Sequence, residues 1–245
     1  MLVTPMKIAD MTGADFDRTE KRTVLLPVGC VERHGDHLPL GTDGFLPEHI
    51  AEMAAEKLGC LVLPTLWYGS CKAMKPFQGT FDLDSDCLYK FIRSLISEVH
   101  RNGFRLLCIV NGHGGNSTPL SMAARDISSR TDLSVMVLDW WKELGSEKSG
   151  LFEAPGHAGE DETSAMLALQ PEKVRMERAG AHAVEYPRFR LYSRMLDRRI
   201  YSIALTGDAK KATADKGAQL LDVVVQDLVK AVLEAQDMLG FLPQR

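Results

Sequence analysis

Short apolar runs alternate with longer amphipathic stretches along this chain, and the alternation predicts its elements. Residues 24–28 are apolar throughout and stop at Gly29, which predicts a short buried strand. Residues 45–58 follow with Leu46, Ile50, Met53, Ala54 and Leu58 at helical spacing, and Gly59 ends them. A second strand is expected over 60–66. The clearest helix spans 84–102, where Leu88, Phe91, Ile92, Leu95, Ile96 and Val99 mark one continuous face and Gly103 supplies the stop. A strand over 106–110, a helix over 117–130 and a strand over 133–138 come next. A short helix over 163–169 and a long one within 213–238, with Leu221, Val224, Leu228 and Val232 on one face, complete the reading. Strands alternating with helices of this length predict βαβ units, hence an α/β fold whose mainly parallel sheet is covered on both faces. Residues 170–208 fit no single pattern. Loops, an antiparallel edge strand or an arm reaching another subunit all suit them.

A length of 245 residues suits one large unit, so residues 1–245 are expected to form a single domain. With 45% apolar and 25% charged residues the chain can bury a core without staples, which excludes disorder as its main character. A net charge of -4 and the lack of a Lys/Arg run leave no footprint for nucleic acid. The most basic stretch, 188–199, is broken by Phe189, Leu191, Tyr192, Met195 and Leu196, and suits a surface or subunit contact. No window approaches the roughly 20 apolar residues of a membrane span. Residues 1–20 carry Asp10, Asp15, Asp17 and Glu20 and no apolar signal core. The five cysteines, an odd set without CxxC spacing, suit a reducing compartment, and Cys60 and Cys108 read as core. The expected location is the cytoplasm.

Three polar clusters carry the chemistry. The first runs from Glu32 through His34, Asp36 and His37 to Asp43, directly after the first strand, where open α/β sheets hold their ligands. Glu32 and His34 face one side of an extended backbone, and with Asp43 they suit a metal shell. A polar loop whose histidines cap backbone groups is the alternative. The second cluster is His113 in Asn111-Gly112-His113-Gly114-Gly115-Asn116, at the end of another strand. Its glycines do not have GxGxxG spacing, so a dinucleotide site is not expected. The third is His157 with Glu160, Asp161 and Glu162, just before an apolar helical run. Acids complement a helix N-terminus, which covers Asp161 but leaves His157 unexplained. Three His/acid groups in a chain with seven histidines point to a metal centre. No G-x-S-x-G elbow or HExxH competes. Trp140 and Trp141, at the end of the fourth strand, either wall a pocket or pack.

Taken in order, several motifs resemble the creatininase (creatinine amidohydrolase) family. They are Leu26-Pro27-Val28-Gly29, Glu32-x-His34-Gly35-x-His37 running to Asp43, Phe77-x-Gly79-Thr80, the Asn111–Asn116 turn, and His157-Ala158-Gly159-Glu160-x-Glu162-Thr163-Ser164. The resemblance implies a three-layer α/β/α fold and a hydrolase using a metal-activated water on cyclic amides, formamides and related substrates. It implies Glu32, Asp43 and His113 as ligands of one divalent ion and His34 with the shared Asp43 as ligands of a second, the ions being Zn, Mn or Fe. It also implies His157 as the group that handles protons. Gly114, Trp141 and His157 are the candidate substrate contacts. The chain departs from creatininase at Gly115, where that enzyme has the glutamate completing the second shell. It also lacks a tryptophan in residues 152–156, and has Arg33 and Asp36 for glutamine and proline. Creatinine is therefore not the expected substrate. Glu162 is the candidate replacement ligand and a second candidate catalytic residue, with Glu160 as second choice; the alternative is that Glu162 serves the helix N-terminus.

Two other functions remain open on the residues alone. One is metal-dependent hydrolysis of a ring C–C bond in a diketone-like cyclitol or sugar. The other is a non-catalytic binding protein of the same fold, for which a degraded ligand set is expected. The expected partners are a small-molecule substrate and further copies of the chain, a hexamer by resemblance to the family. The aromatic and arginine content of residues 186–201 is that of an interface core. Light scattering at micromolar concentration should report an oligomer, and a monomer would contradict this.

Overall fold

Four parallel strands, β1 (Thr23–Val28), β2 (Leu61–Val62), β3 (Leu106–Asn111) and β4 (Ser134–Asp139), lie side by side in the order β2-β1-β3-β4. The structure is a computed structural model and describes residues 7–145, 150–189 and 191–241. Residues 1–6 of the N-terminal stretch and residue 190 of the arginine-rich stretch lie outside the described residues. Side chains alternate across each strand and so feed two separate cores. Leu25, Leu106, Cys108 and Val110 face α2 (Thr42–Leu58), α6 (Glu160–Leu169) and α8 (Ala214–Met238). Val24, Leu26, Val28, Leu107 and Ile109 face α3 (Ser85–Arg101) and α4 (Ser117–Ser128), while the short helices α1 (Gly13–Arg18) and α5 (Trp140–Glu143) precede β1 and follow β4. Each fully buried Leu, Ile or Val contributes roughly 1.5–3 kcal/mol, so the two cores hold the three layers together. The expected α/β/α sandwich with a parallel sheet is what the chain adopts.

Several elements differ from expectation. The strand expected over 60–66 keeps only Leu61–Val62 in the ladder, plus one bridge from Val28 to Leu66. Pro64 has no N–H to offer the sheet, which accounts for the break. The first long helix starts at Thr42, so Asp43 sits in its first turn. The helix expected from 163 begins at Glu160 and takes all three acids into its first turn. Cys108 is buried as expected, whereas Cys60 is only half-buried. Among the described residues, 170–208 add no strand to the main sheet. They hold a separate two-residue antiparallel pair, β5 (Ala181–His182) with β6 (Gly207–Asp208), and the short helix α7 (Arg194–Ile200). Around α7, Phe189, Tyr192 and Met195 are 67%, 88% and 83% exposed, so the single chain leaves this apolar face uncovered. Among the described residues, no helix is long and apolar enough to cross a membrane.

Register aligns the carboxyl ends of the strands. Val28 pairs with Asn111, and Asn111 with Asp139. The loops that follow therefore leave from one edge. Glycines let α2 drop between two of them: a Cβ at Gly29 or Gly112 would stand 2.2 or 2.1 Å from the Asp43 carbonyl oxygen. That close approach sets Asp43 at the sheet edge.

Candidate metal centre

The loop after β1, the turn after β3 and the start of α6 bring all three clusters to this edge. Asp43 stands between two imidazoles. Its Oδ1 is 2.9 Å from His34 Nε2 and its Oδ2 is 2.8 Å from His113 Nδ1. Glu32 Oε1 lies 3.3 Å from His113 Nδ1 and 3.6 Å from His157 Nδ1. Glu162 Oε2 is 3.7 Å from His34 Nε2. Glu32, His34 and Asp43 are buried, while His113, His157 and Glu162 are half-buried. The five expected ligands and His157 thus share one site.

Each histidine is oriented by a backbone carbonyl. His34 Nδ1 donates to Glu32 O at 3.1 Å, His113 Nε2 to Ser70 O at 2.9 Å, and His157 Nε2 to Arg33 O at 2.9 Å. A carbonyl only accepts, so each of these nitrogens carries a hydrogen and the other ring nitrogen faces the carboxylates. Metal-ligating histidines are oriented in this way.

The electrostatics call for positive charge. Burial alone would lower His34, yet Asp43, then Glu162 and Glu32, hold it up at about 10. His113 is likewise buried, and Glu32 and Asp43 draw it well above its ordinary value. Burial would raise Asp43, but His34 and His113 keep it well below the usual carboxylate range. Burial, reinforced by the charges of Asp43 and Asp161, pushes Glu162 up to about 8 against the pull of His34. Burial and the charge of His34 push His157 down to about 4, so it is neutral with an inward lone pair. Glu32 Oε2 is buried and accepts no hydrogen bond. Ligand atoms gather in overlapping sets, each within 4.8 Å: Cys30, Glu32, Cys71 and His113; Glu32, His34 and His157; His34, Asp43 and Glu162. A mixed N/O cage with an unpartnered carboxylate oxygen fits divalent transition ions.

The remaining acids turn away. Glu160, second choice as a ligand, accepts from Glu153 N and Ala154 N at 2.8 Å and pairs with Lys216. Asp161 accepts from Gly156 N at 2.9 Å. Glu162 stands 3.7 Å from His34 Nε2 and also accepts from Ala158 N at 2.7 Å, just ahead of the helix start. His37 binds Thr163 Oγ1 at 2.8 Å and ties the first loop to α6. Of the two tryptophans, Trp140 is core, while Trp141 is half-buried, its ring 3.8 Å from where a Cβ on Gly114 would stand. Gly115 has no room for a side chain: its Cβ would lie 1.8 Å from Ser70 O.

Sequence reasoning missed four contributors. Asn116 holds the loops together, accepting from Ser70 N at 2.9 Å and donating to Gly29 O at 3.0 Å. Tyr201 packs edge-on against His157, with ring centroids 5.7 Å apart. Cys30 Sγ is 3.2 Å from Asp43 Oδ2, and Cys71 lies beside it. Only Cys30 had a readable signal, two residues before Glu32 and on the same side of an extended chain.

A model of the creatininase family, described as creatinine amidohydrolase, matches residues 9–232. The creatinine amidohydrolase of Pseudomonas putida is 32% identical over 232 residues, covering 86% of this chain and 88% of that one. The 3-dehydro-scyllo-inosose hydrolase of Thermotoga maritima is 32% identical over 166 residues, covering 63% of this chain and 52% of that one. A deformylase of a formylamino-pyrimidine 5'-monophosphate from Methanobrevibacter ruminantium is 27% identical, covering 84% and 82%. A crystal structure of creatininase superposes with a TM-score of 0.83 at 29% identity over 98% of this chain and 99% of that one. Creatininases described as a manganese form and a Zn-Zn form, each covering 97% of this chain and 99% of their own, also reach TM-scores of 0.83 at 29% identity. Shared fold, shared motifs and a match along most of its length make the chain a member of the creatininase family of hydrolases.

Proposed function

We propose that this hydrolase opens a C–N bond of a small cyclic amide or formamide at a pair of divalent ions. Glu32, Asp43 and His113 would hold one ion, and His34, Asp43 and Glu162 the other. The observation that carries this reading is the Asp43 carboxylate, which offers one oxygen to each of two carbonyl-anchored imidazoles. When bound, such ions supply a Lewis acid for the carbonyl oxygen and a water acidic enough to react near neutral pH.

The chain's own groups do the rest. His157 would take at Nδ1 the proton that the attacking water gives up as its oxygen bonds to carbon, and pass it to the nitrogen as the C–N bond breaks, while its Nε2 stays anchored on Arg33 O. Gly114, next to His113 and beside the Trp141 ring, and Tyr201, edge-on to His157, would be the nearest groups to a bound substrate. The inosose hydrolase among the relatives favours one second reading, cleavage of a ring C–C bond in a cyclitol or sugar diketone. Assays of the metal-loaded protein on cyclic amides, formamides and cyclic diketones separate the two. Turnover of diketones alone would replace the first reading.

Glu162→Gln keeps the shape of the side chain and removes its charge. The expected result is a loss of roughly tenfold or more in affinity at the weaker ion site, the scale seen even for groups behind the ligands. Unchanged stoichiometry and affinity would return Glu162 to the role of helix N-terminal acceptor for Ala158 N.

Ion uptake should also depend on pH in a stated direction. His34 is raised from 6.5 to about 10 in the ion-free fold, so at neutral pH it carries a proton that the ion must displace. Affinity then rises with pH up to about 10, by about one decade per unit for each proton displaced. For the ion-free fold the sign is opposite. A raised histidine stabilises fully below its unfolded value of 6.5, and that contribution fades as pH climbs through 10. Calorimetric titration at several pH values tests the first statement, and a flat profile would contradict it.

A further inference from the structure

Two cysteines stand where packing alone gives them little reason to be. Cys30 and Cys71 are 0% and 1% exposed, and both sulfurs lie within 4.8 Å of a Glu32 carboxylate oxygen and a His113 nitrogen. Cys30 Sγ is 3.2 Å from Asp43 Oδ2, the same oxygen that is 2.8 Å from His113 Nδ1. Cys108 shows the contrast. It too is fully buried, but its sulfur meets the Met136 thioether, at 3.8 Å, and lies among apolar side chains. A thiol used as a small apolar residue belongs in Cys108's surroundings, not between two carboxylates and an imidazole.

We infer that Cys30 is a thiolate ligand of the ion held by Glu32, Asp43 and His113, and that it makes this half of the centre prefer thiophilic divalent ions over manganese. The inference rests on the metal centre proposed above. Glu32 Oε2, on a residue 1% exposed, has no hydrogen-bond partner among the described residues and independently leaves a buried carboxylate oxygen open to an ion. Cys71 is the less suited of the two thiols, because its sulfur donates to Gly69 O at 3.4 Å and is held there. Ligation exchanges the S–H bond of Cys30 for an S–metal bond and releases one proton to solvent. Thiolate is a soft donor and favours Zn, Cd and related ions, whereas an all-oxygen and imidazole shell suits Mn equally well.

The probe is Co(II) loaded into the whole protein, because thiolate ligation gives a near-ultraviolet sulfur-to-cobalt charge-transfer band. The wild type should show the band. Cys30→Ser should lose it while still binding cobalt, and its preference for Cd(II) over Mn(II) in competition should fall by roughly tenfold or more. Cys71→Ser should keep the band, as should Cys87→Ser at an exposed position. Cobalt bound without the band in the wild type overturns the thiolate and leaves the metal centre standing, and a band surviving in Cys30→Ser does the same. Failure of the wild type to bind any divalent ion overturns both. Where Cys30→Ser fails to fold, Cys71→Ser decides, because a band lost there would overturn Cys30 as the ligand.

Discussion

His157→Ala is expected to keep its ions and lose about 10²–10⁴-fold in turnover, the usual worth of a positioned acid–base group. Geometry separates His157 from the other two imidazoles. His34 and His113 approach Asp43 at 2.9 and 2.8 Å, whereas the nearest carboxylate oxygen to His157 Nδ1 is Glu32 Oε1 at 3.6 Å. It is also the histidine pushed down to about 4, so the ion-free site gains no charge from it and loses none on truncation. Its setting is that of a working side chain. The next residue, Ala158, sits at φ 51, a left-handed conformation that costs a non-glycine residue on the order of 1–3 kcal/mol and persists mainly at functional sites. The decisive measurement pairs kcat with metal content. A fall in kcat at constant ion stoichiometry supports the proton role. A parallel collapse of both would make His157 a ligand with Glu32 and His34, a set whose donor atoms are close enough to hold an ion.

The parts of this centre that were legible in the sequence share one property: each is a polar residue next to a strongly patterned element. Glu32 and His34 follow an apolar strand, His113 ends another, and Glu162 opens an apolar helix. The strand ends are brought level by ladder register, which no single segment encodes, so the clusters were visible before their meeting was. Residues 67–83 offer the sequence only the Phe77-x-Gly79-Thr80 motif and no site residue. This stretch has no helical or strand period, yet it supplies the Ser70 carbonyl that orients His113 and the Cys71 thiol. Of the three consecutive acids, Glu162 is the one expected at the centre ahead of Glu160, and it is the one that faces His34. Side-chain direction in the first turn of α6 sends Glu160 to Lys216 and Glu162 to His34, and that direction depends on a helix start three residues earlier than the apolar pattern marks. Gly115 was read as a missing ligand. The structure gives it a steric reason, since the Ser70 carbonyl occupies the space a side chain would need. That same carbonyl fixes His113, so the glycine and the imidazole orientation come as a pair.

Asp43→Asn should have the largest effect on the centre. The variant keeps the volume and the first turn of α2 but removes the charge that both imidazoles face. A ligand shared by two ions weakens both when it is lost. Dialysed protein should retain almost no metal, and activity should fall by more than about 10³-fold, well beyond the 10–100-fold typical of groups behind the ligands. The imidazoles supply a second readout. His34 is held at about 10 by Asp43 first, then Glu162 and Glu32, against a burial effect that lowers it. With the nearest carboxylate gone, the balance shifts towards burial, and His34 should titrate markedly lower in the ion-free variant. The same sign holds for His113, whose raised value depends on Glu32 and Asp43 together. Removing one partner of a buried ion pair commonly costs about 3–5 kcal/mol, but a histidine can shed its proton and escape most of that penalty. The variant should therefore fold, with its ion-free stability reduced by less than the pair would suggest. Histidine ring resonances followed by NMR across neutral pH test this directly. A folded Asp43→Asn protein that still binds two ions, or whose His34 stays protonated above neutral pH, would refute the bridging role.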